Sequence, residues 1–107
     1  MDVPEIDVPE LAERRADGAF VLDVRQPEEY TGGHVPGAVL VPLAEVPDRV
    51  AELPTDAPVL IICRTGARSH RAAQYLRPLG IDAINVRGGT MAWMQAGHGV
   101  VTGSEPG

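Results

Sequence analysis

The single cysteine of the chain, Cys63, follows a short apolar run and opens a small basic loop. The run Val59–Ile62 is continuous and apolar, which is typical of a strand buried on both faces of a parallel sheet. Beyond the loop, apolar residues recur at helical spacing over positions 69–79. A strand, a tight loop and a helix direct main-chain N–H groups and a helix N-terminus at the loop. The sequence therefore predicts an anion site in which Cys63 ionises to a thiolate.

Two arginines in this loop favour a reactive cysteine over a structural one. A lone cysteine often acts as a small buried hydrophobe. Here, however, Cys63 lies at the carboxyl end of a predicted strand, where open α/β sheets bind their ligands. Arg64 and Arg68 are costly to hold beside an apolar sheet unless they meet an anion, and both favour the thiolate. We therefore interpret Cys63 as a nucleophile with cationic neighbours.

Strands and helices alternate along the rest of the chain. Strands are predicted at 6–8, 19–22, 38–41, 59–62 and 81–86, and helices at 10–16, 27–30, 43–53, 69–79 and 91–96. Pro47 is expected to kink the third helix, and Thr90 to cap the last one. This alternation predicts an α/β fold, a doubly wound parallel sheet of about five strands with helices on both faces.

Length and composition narrow the class of protein. The chain has 107 residues, which suits a single domain over 1–107, with its core at about 3–101 and a disordered tail at 102–107. A net charge of −6 argues against nucleic acid as a partner. No apolar run reaches the roughly 20 residues that span a membrane. With one cysteine, no internal disulfide can form, so a cytoplasmic location fits.

Four stretches, in order along the chain, resemble the single-domain rhodaneses, a family of sulfurtransferases. The stretches lie at residues 22–30, 33–38, 63–69 and 88–93, and read LDVRQPEEY, GHVPGA, CRTGARS and GGTMAW. The resemblance runs from about residue 3 to residue 101. It implies that the strand before Cys63 is central in the sheet. It also implies that His34 is structural, and no second Cys or His stands at the spacing that a zinc site needs.

The resemblance implies a role for each residue of the site. Cys63 is the catalytic nucleophile, and the supporting residues are Asp23, Arg25 and Ser69. Asp23 is expected to brace the active-site loop, and Arg25 to pair with a nearby carboxylate such as Glu29. The substrate-binding residues are Arg64, Thr65, Gly66, Ala67 and Arg68.

The implied reaction is a sulfur relay that uses no metal and no organic cofactor. Cys63 takes the outer sulfur of a small anionic donor, thiosulfate, and a thiol or cyanide acceptor removes it from the resulting persulfide. The first alternative is a sulfur-carrier or binding module that depends on a partner protein. The second is a thiol phosphatase or arsenate reductase. Those enzymes place an arginine six positions after the cysteine, where this chain has Ser69.

Overall fold

The computed structural model describes residues 2–107. The strands are β1 (Glu5–Ile6), β2 (Phe20–Asp23), β3 (Val39–Leu40), β4 (Val59–Ile62) and β5 (Ala83–Val86). The α-helices are α1 (Val8–Ala16), α2 (Pro27–Thr31), α3 (Ala67–Leu76) and α4 (Gly89–Gln95), with 3₁₀ segments at Leu43–Glu52 and Arg77–Leu79. Within this described part of the chain, no helix has the length and apolar character needed to cross a membrane.

The strands form one parallel sheet in the order β1-β5-β4-β2-β3. β4, the strand that leads to Cys63, is therefore the central strand. Asp23 of β2 pairs in register with Ile62 of β4, so the segments that follow these two strands leave the sheet at the same end, the carboxyl end of the strands. The predicted parallel sheet of five strands, with its central Cys63 strand, is confirmed.

Helices cover both faces of the sheet, which explains why β4 is apolar throughout. All the residues of β4 are buried. On one face, the 3₁₀ segment Leu43–Glu52 packs through Val46, and α3 packs through Ala72, Ala73 and Leu76. On the other face, α1, α2 and α4 pack through Val8, Leu11, Tyr30 and Trp93. Alternate residues of β4 thus enter two separate cores.

Three helices, α1, α3 and α4, each begin two residues earlier than the sequence predicted. α1 begins at Val8, because the Asp7 side chain caps it by accepting the N–H of Glu10 at 3.0 Å. The predicted strand at 6–8 therefore ends at Ile6. α3 begins at Ala67, which places Ser69 inside its first turns. The predicted helix at 43–53 is a 3₁₀ segment that contains Pro47, which has no N–H to donate, and its backbone is non-helical at Arg49.

The segment 102–107, for which the sequence predicts disorder, makes hydrogen bonds to the rest of the chain. The amide of Gly37 donates to the carbonyl of Pro106 at 2.8 Å, and the amide of Gly103 donates to that of Thr31 at 2.9 Å. Nε2 of His34 lies 2.9 Å from the carbonyl oxygen of Glu105. His34 is fully buried and stacks on Tyr30 with ring centroids 3.6 Å apart. In these contacts the tail supplies acceptors to a buried imidazole and to a loop amide.

Candidate active site

The sulfur of Cys63 is held by donors from the loop and from α3. Cys63 follows β4 directly and is buried. The amide of Gly66 donates to Sγ at 3.1 Å, and the Ser69 hydroxyl oxygen lies 3.3 Å from Sγ. Gly66 has φ +116°, a conformation that a residue with a side chain rarely adopts. The glycine therefore lets the loop turn tightly enough to aim its amide back at the sulfur.

This environment favours the thiolate of Cys63. Burial raises the pKa of the thiol, but hydrogen bonds to Sγ outweigh that effect and lower the pKa below its usual value. The contributing donors are the Ser69 hydroxyl and the amides of Ser69, Gly66 and Thr65. The sulfur also sits at the N-terminus of α3, where the helix dipole favours negative charge.

The N-terminus of α4 fixes the orientation of the loop. The amide and the hydroxyl of Thr90 donate to the carbonyl of Cys63 at 2.9 and 3.0 Å, and the amide of Met91 donates to the carbonyl of Arg64 at 3.0 Å. In a trans peptide the C=O and the following N–H point in opposite directions. Anchoring the Arg64 carbonyl on α4 therefore turns the next amide, that of Thr65, toward the sulfur. Thr90 was predicted to cap α4; that position belongs to Gly88, and Thr90 binds the loop instead.

Asp23 and Arg25 form a buried pair with each other. Nε and Nη2 of Arg25 donate to the Asp23 carboxylate at 2.8 to 3.1 Å, and Nη2 also donates to the carbonyl of Gly33 at 2.9 Å. The resemblance implied a nearby carboxylate such as Glu29 as the partner of Arg25. The carboxylate is that of Asp23, and Glu29 pairs with Arg68 instead. Asp23 binds the side chain and amide of Arg25, so the pair fixes the segment after β2 beside the loop.

The two loop arginines lie in different surroundings. Arg68 makes a bidentate pair with Glu29 of α2, with nitrogen to oxygen distances of 2.7 and 2.9 Å. This hydrogen bond, opposed by partial burial, lowers the pKa of Glu29 to about 2. Arg64, in contrast, is exposed, and within residues 2–107 it makes no ion pair. Thr65 and Ala67 are also exposed around the sulfur.

Sequence reasoning missed a polar pair behind the cysteine. Asn85 of β5 accepts from the Ser69 hydroxyl at 2.5 Å and donates to the Glu5 carboxylate at 2.9 Å. Asn85 is 2% exposed, in a strand that is otherwise apolar. A polar residue between Ile84 and Val86 was the available signal, because a buried amide needs partners.

A groove of about 550 Å³ lies beside the loop. Its walls come from Arg25, Arg64 and Thr90, and from the exposed side chains Met91 and Met94 of α4. Cavities of this size hold small organic ligands. Among residues 2–107, no three His, Cys, Asp or Glu side chains are grouped so as to hold a metal ion.

The chain belongs to the rhodanese-like domain family, whose model matches residues 7–96. A sulfurtransferase of Allochromatium vinosum is 42% identical over 102 residues, which cover 92% of this chain and 95% of that protein. The thiosulfate sulfurtransferase GlpE of Pseudomonas entomophila is 38% identical over 80 residues, 74% of this chain and 73% of that protein. The crystal structure of a rhodanese-like domain protein from Staphylococcus aureus superposes with a TM-score of 0.86 at 33% identity, and the match covers 95% of this chain and 100% of that chain. The family resemblance of the sequence is thereby confirmed.

Proposed function

We propose that this protein is a thiosulfate sulfurtransferase that works through a persulfide on Cys63. The Cys63 thiolate attacks the outer sulfur of thiosulfate, the sulfur–sulfur bond of the donor breaks, and sulfite leaves with the electron pair. The outer sulfur, now carrying the negative charge, remains on Cys63. A thiolate or cyanide acceptor then attacks that sulfur and restores the Cys63 thiolate. Such a cycle gives ping-pong kinetics.

The observation that carries this proposal is the set of donors around Sγ. The amide of Gly66 at 3.1 Å and the hydroxyl of Ser69 at 3.3 Å face the sulfur of a buried cysteine at the N-terminus of α3. These donors favour the thiolate, so the nucleophile forms without a general base. Loop amides and the helix dipole also suit the negative outer sulfur of a persulfide. The sulfurtransferase relatives support the same chemistry.

The donor's sulfonate end is assigned to the basic rim of the loop. Arg64 is the exposed cation next to Cys63, and it makes no ion pair within the described residues 2–107. Arg68 also belongs to this rim, although Glu29 neutralises much of its charge. In this assignment Arg64 binds the sulfonate directly, and Arg68, paired with Glu29, contributes only to the electrostatic field around the loop. The name of the Pseudomonas entomophila relative supports thiosulfate as the donor.

The acceptor is assigned to the groove between the loop and α4. A small thiol fits a groove of about 550 Å³ with an apolar wall of Met91 and Met94 and with Arg64 at its rim. A reducing compartment such as the cytoplasm keeps both the acceptor thiol and Cys63 free of disulfides.

Mass spectrometry after treatment with thiosulfate tests the proposal. The intact protein is expected to gain one sulfur atom and to lose it when cyanide is added. Cys63→Ala should fold normally and gain nothing, since it removes the nucleophile and leaves a small side chain in an apolar site. Turnover is measured in parallel as thiocyanate formed from thiosulfate and cyanide. Sulfur transfer retained by Cys63→Ala would disprove the assignment, and no gain by the wild type favours a donor that is a partner protein's persulfide.

A further inference from the structure

A chain of polar side chains connects β1 to the catalytic sulfur. Glu5 accepts from Nδ2 of Asn85 at 2.9 Å, Oδ1 of Asn85 lies 2.5 Å from the Ser69 hydroxyl oxygen, and that oxygen lies 3.3 Å from Sγ of Cys63. Ser69 and Asn85 are buried, at 0% and 2% exposure. The Ser69 hydroxyl therefore has two neighbours that can accept a hydrogen bond and only one hydrogen to donate.

The orientation of the Asn85 amide decides where that hydrogen lies at rest. Nδ2 of Asn85 faces the Glu5 carboxylate and, at 3.3 Å, the carbonyl of Gly66. Both of these groups only accept, so the amino end of Asn85 must face them and its oxygen must face Ser69. An amide oxygen has no hydrogen to give. The contact of 2.5 Å is consequently a hydrogen bond donated by the Ser69 hydroxyl.

A neutral Cys63 is compatible with the hydrogen bond from Ser69 to Asn85, but a Cys63 thiolate competes with Asn85 for the same hydrogen. The S–H of a neutral thiol can donate to the free lone pair of the Ser69 oxygen. A thiolate has no hydrogen, so it attracts the hydroxyl hydrogen and leaves the buried oxygen of Asn85 without its donor. Glu5 strengthens the competition, because a carboxylate that accepts from the amino end makes the amide oxygen a better acceptor.

We propose that Asn85, held by Glu5, is a positioning residue that competes with Cys63 for the single hydrogen of the Ser69 hydroxyl. The hydroxyl turns toward Asn85 when Sγ carries no charge and toward Sγ when Sγ is a thiolate. The consequence for the reaction rests on the proposed function. In the persulfide the charge lies on the outer sulfur, so the hydroxyl returns to Asn85. Asn85 thereby favours the sulfur-loaded state over the free thiolate.

The ionisation of Cys63 reports this competition directly. Because the chain has one cysteine, the rate of alkylation by iodoacetamide as a function of pH measures Cys63 alone. The variants are Ser69→Ala, Asn85→Leu and the double variant. Leucine has a similar size but no acceptor, and the Gly66 carbonyl keeps the amide of His70, at 3.1 Å, as a donor. Circular dichroism confirms that each variant is folded.

The proposal predicts the direction of each shift. Asn85→Leu should lower the alkylation midpoint by about half a pH unit to one unit, because the hydroxyl is released to the thiolate. Ser69→Ala should raise the midpoint, and by more in the Asn85→Leu background than in the wild type. If Asn85 merely supports Ser69, Asn85→Leu raises the midpoint and abolishes the effect of Ser69→Ala. That second pattern overturns the proposal.

A surface variant covers the case in which Asn85→Leu does not fold. Glu5→Gln, in the short edge strand β1, should lower the midpoint both by removing a charge and by weakening the oxygen of Asn85 as an acceptor. The second effect requires the Ser69 hydroxyl, so the shift should be smaller in the Ser69→Ala background. Equal shifts in both backgrounds rule out the competition. Alkylation requires no sulfur transfer, so this result stands apart from any failure of the sulfurtransferase proposal.

Discussion

Gly89→Ala is expected to disturb the active site through the main chain alone. A Cβ at Gly89 would lie 2.5 and 2.6 Å from the carbonyl oxygens of Arg64 and Cys63, far inside contact distance. The residue also has φ +60°, which costs a residue with a side chain about 1–2 kcal/mol. To relieve the clash, α4 must move away from the carbonyls that Thr90 and Met91 hold.

The magnitude follows from these contacts. Loss of the hydrogen bonds from the Thr90 and Met91 amides adds about 1 kcal/mol each to the backbone cost. The free energy of unfolding should therefore fall by about 3–4 kcal/mol. Freed carbonyls also let the loop amides turn away from Sγ, so the pKa of Cys63 should rise toward that of an ordinary thiol. Urea denaturation measures the first effect, and the pH dependence of alkylation measures the second.

Gly97→Ala is the matched control for this prediction. Gly97 has φ +87°, but a Cβ there meets nothing within 4 Å. Gly97→Ala should lower the free energy of unfolding only by the cost of the positive φ, about 1–2 kcal/mol, and should leave the ionisation of Cys63 unchanged. Thr90→Val provides a milder change at the site, since it removes only the hydroxyl bond to the Cys63 carbonyl. Equal stabilities and equal alkylation midpoints for Gly89→Ala and Gly97→Ala would show that a side chain at Gly89 does not disturb the loop.

Two further predictions concern the pair between Glu29 and Arg68. The pKa of Glu29 is lowered from 4.5 to about 2, so the pair stabilises the fold above pH 4.5 and loses this contribution as the pH falls toward 2. Glu29→Gln should lower the free energy of unfolding by about 1 kcal/mol at neutral pH, since the pair is partly exposed. In acid the stability of this variant should approach that of the wild type. Denaturant titrations at each pH measure the difference, and Glu28→Gln, one residue earlier, is the control. Arg68→Ala should raise the KM for thiosulfate about fivefold, or roughly 1 kcal/mol, because it removes a nearby cation and leaves the Glu29 carboxylate to repel the donor. Adding Glu29→Gln to Arg68→Ala should recover part of that loss in steady-state kinetics, and no recovery would show that the carboxylate does not act on the donor.

Much of the fold could be predicted because its signals are local. The segment Val59–Ile62 could be predicted as a buried strand because all four of its residues are apolar, and they do enter cores on both faces of the sheet. Gly66 and Gly88 mark turns with positive φ, at the start of α3 and α4. The helix boundaries were less accurate, since capping by Asp7 moved the start of α1 to Val8. The contacts of the tail could not be predicted, because nothing near residue 105 in the sequence indicates a buried imidazole at His34.

The sequence alone determined the place of Cys63 and the loop that surrounds its sulfur. Cys63 directly follows an apolar strand and precedes a glycine turn and a helix, so neighbouring residues suffice to bring Gly66 and Ser69 to the sulfur. Only the tertiary structure decided the partners of the charged and polar groups. Arg68 pairs with Glu29, 39 positions away in the sequence, and Asn85 donates a hydrogen bond to Glu5, 80 positions away. These contacts form because the order of the strands brings distant segments together. Several carboxylates could pair with each arginine, and sheet order and helix placement select among them.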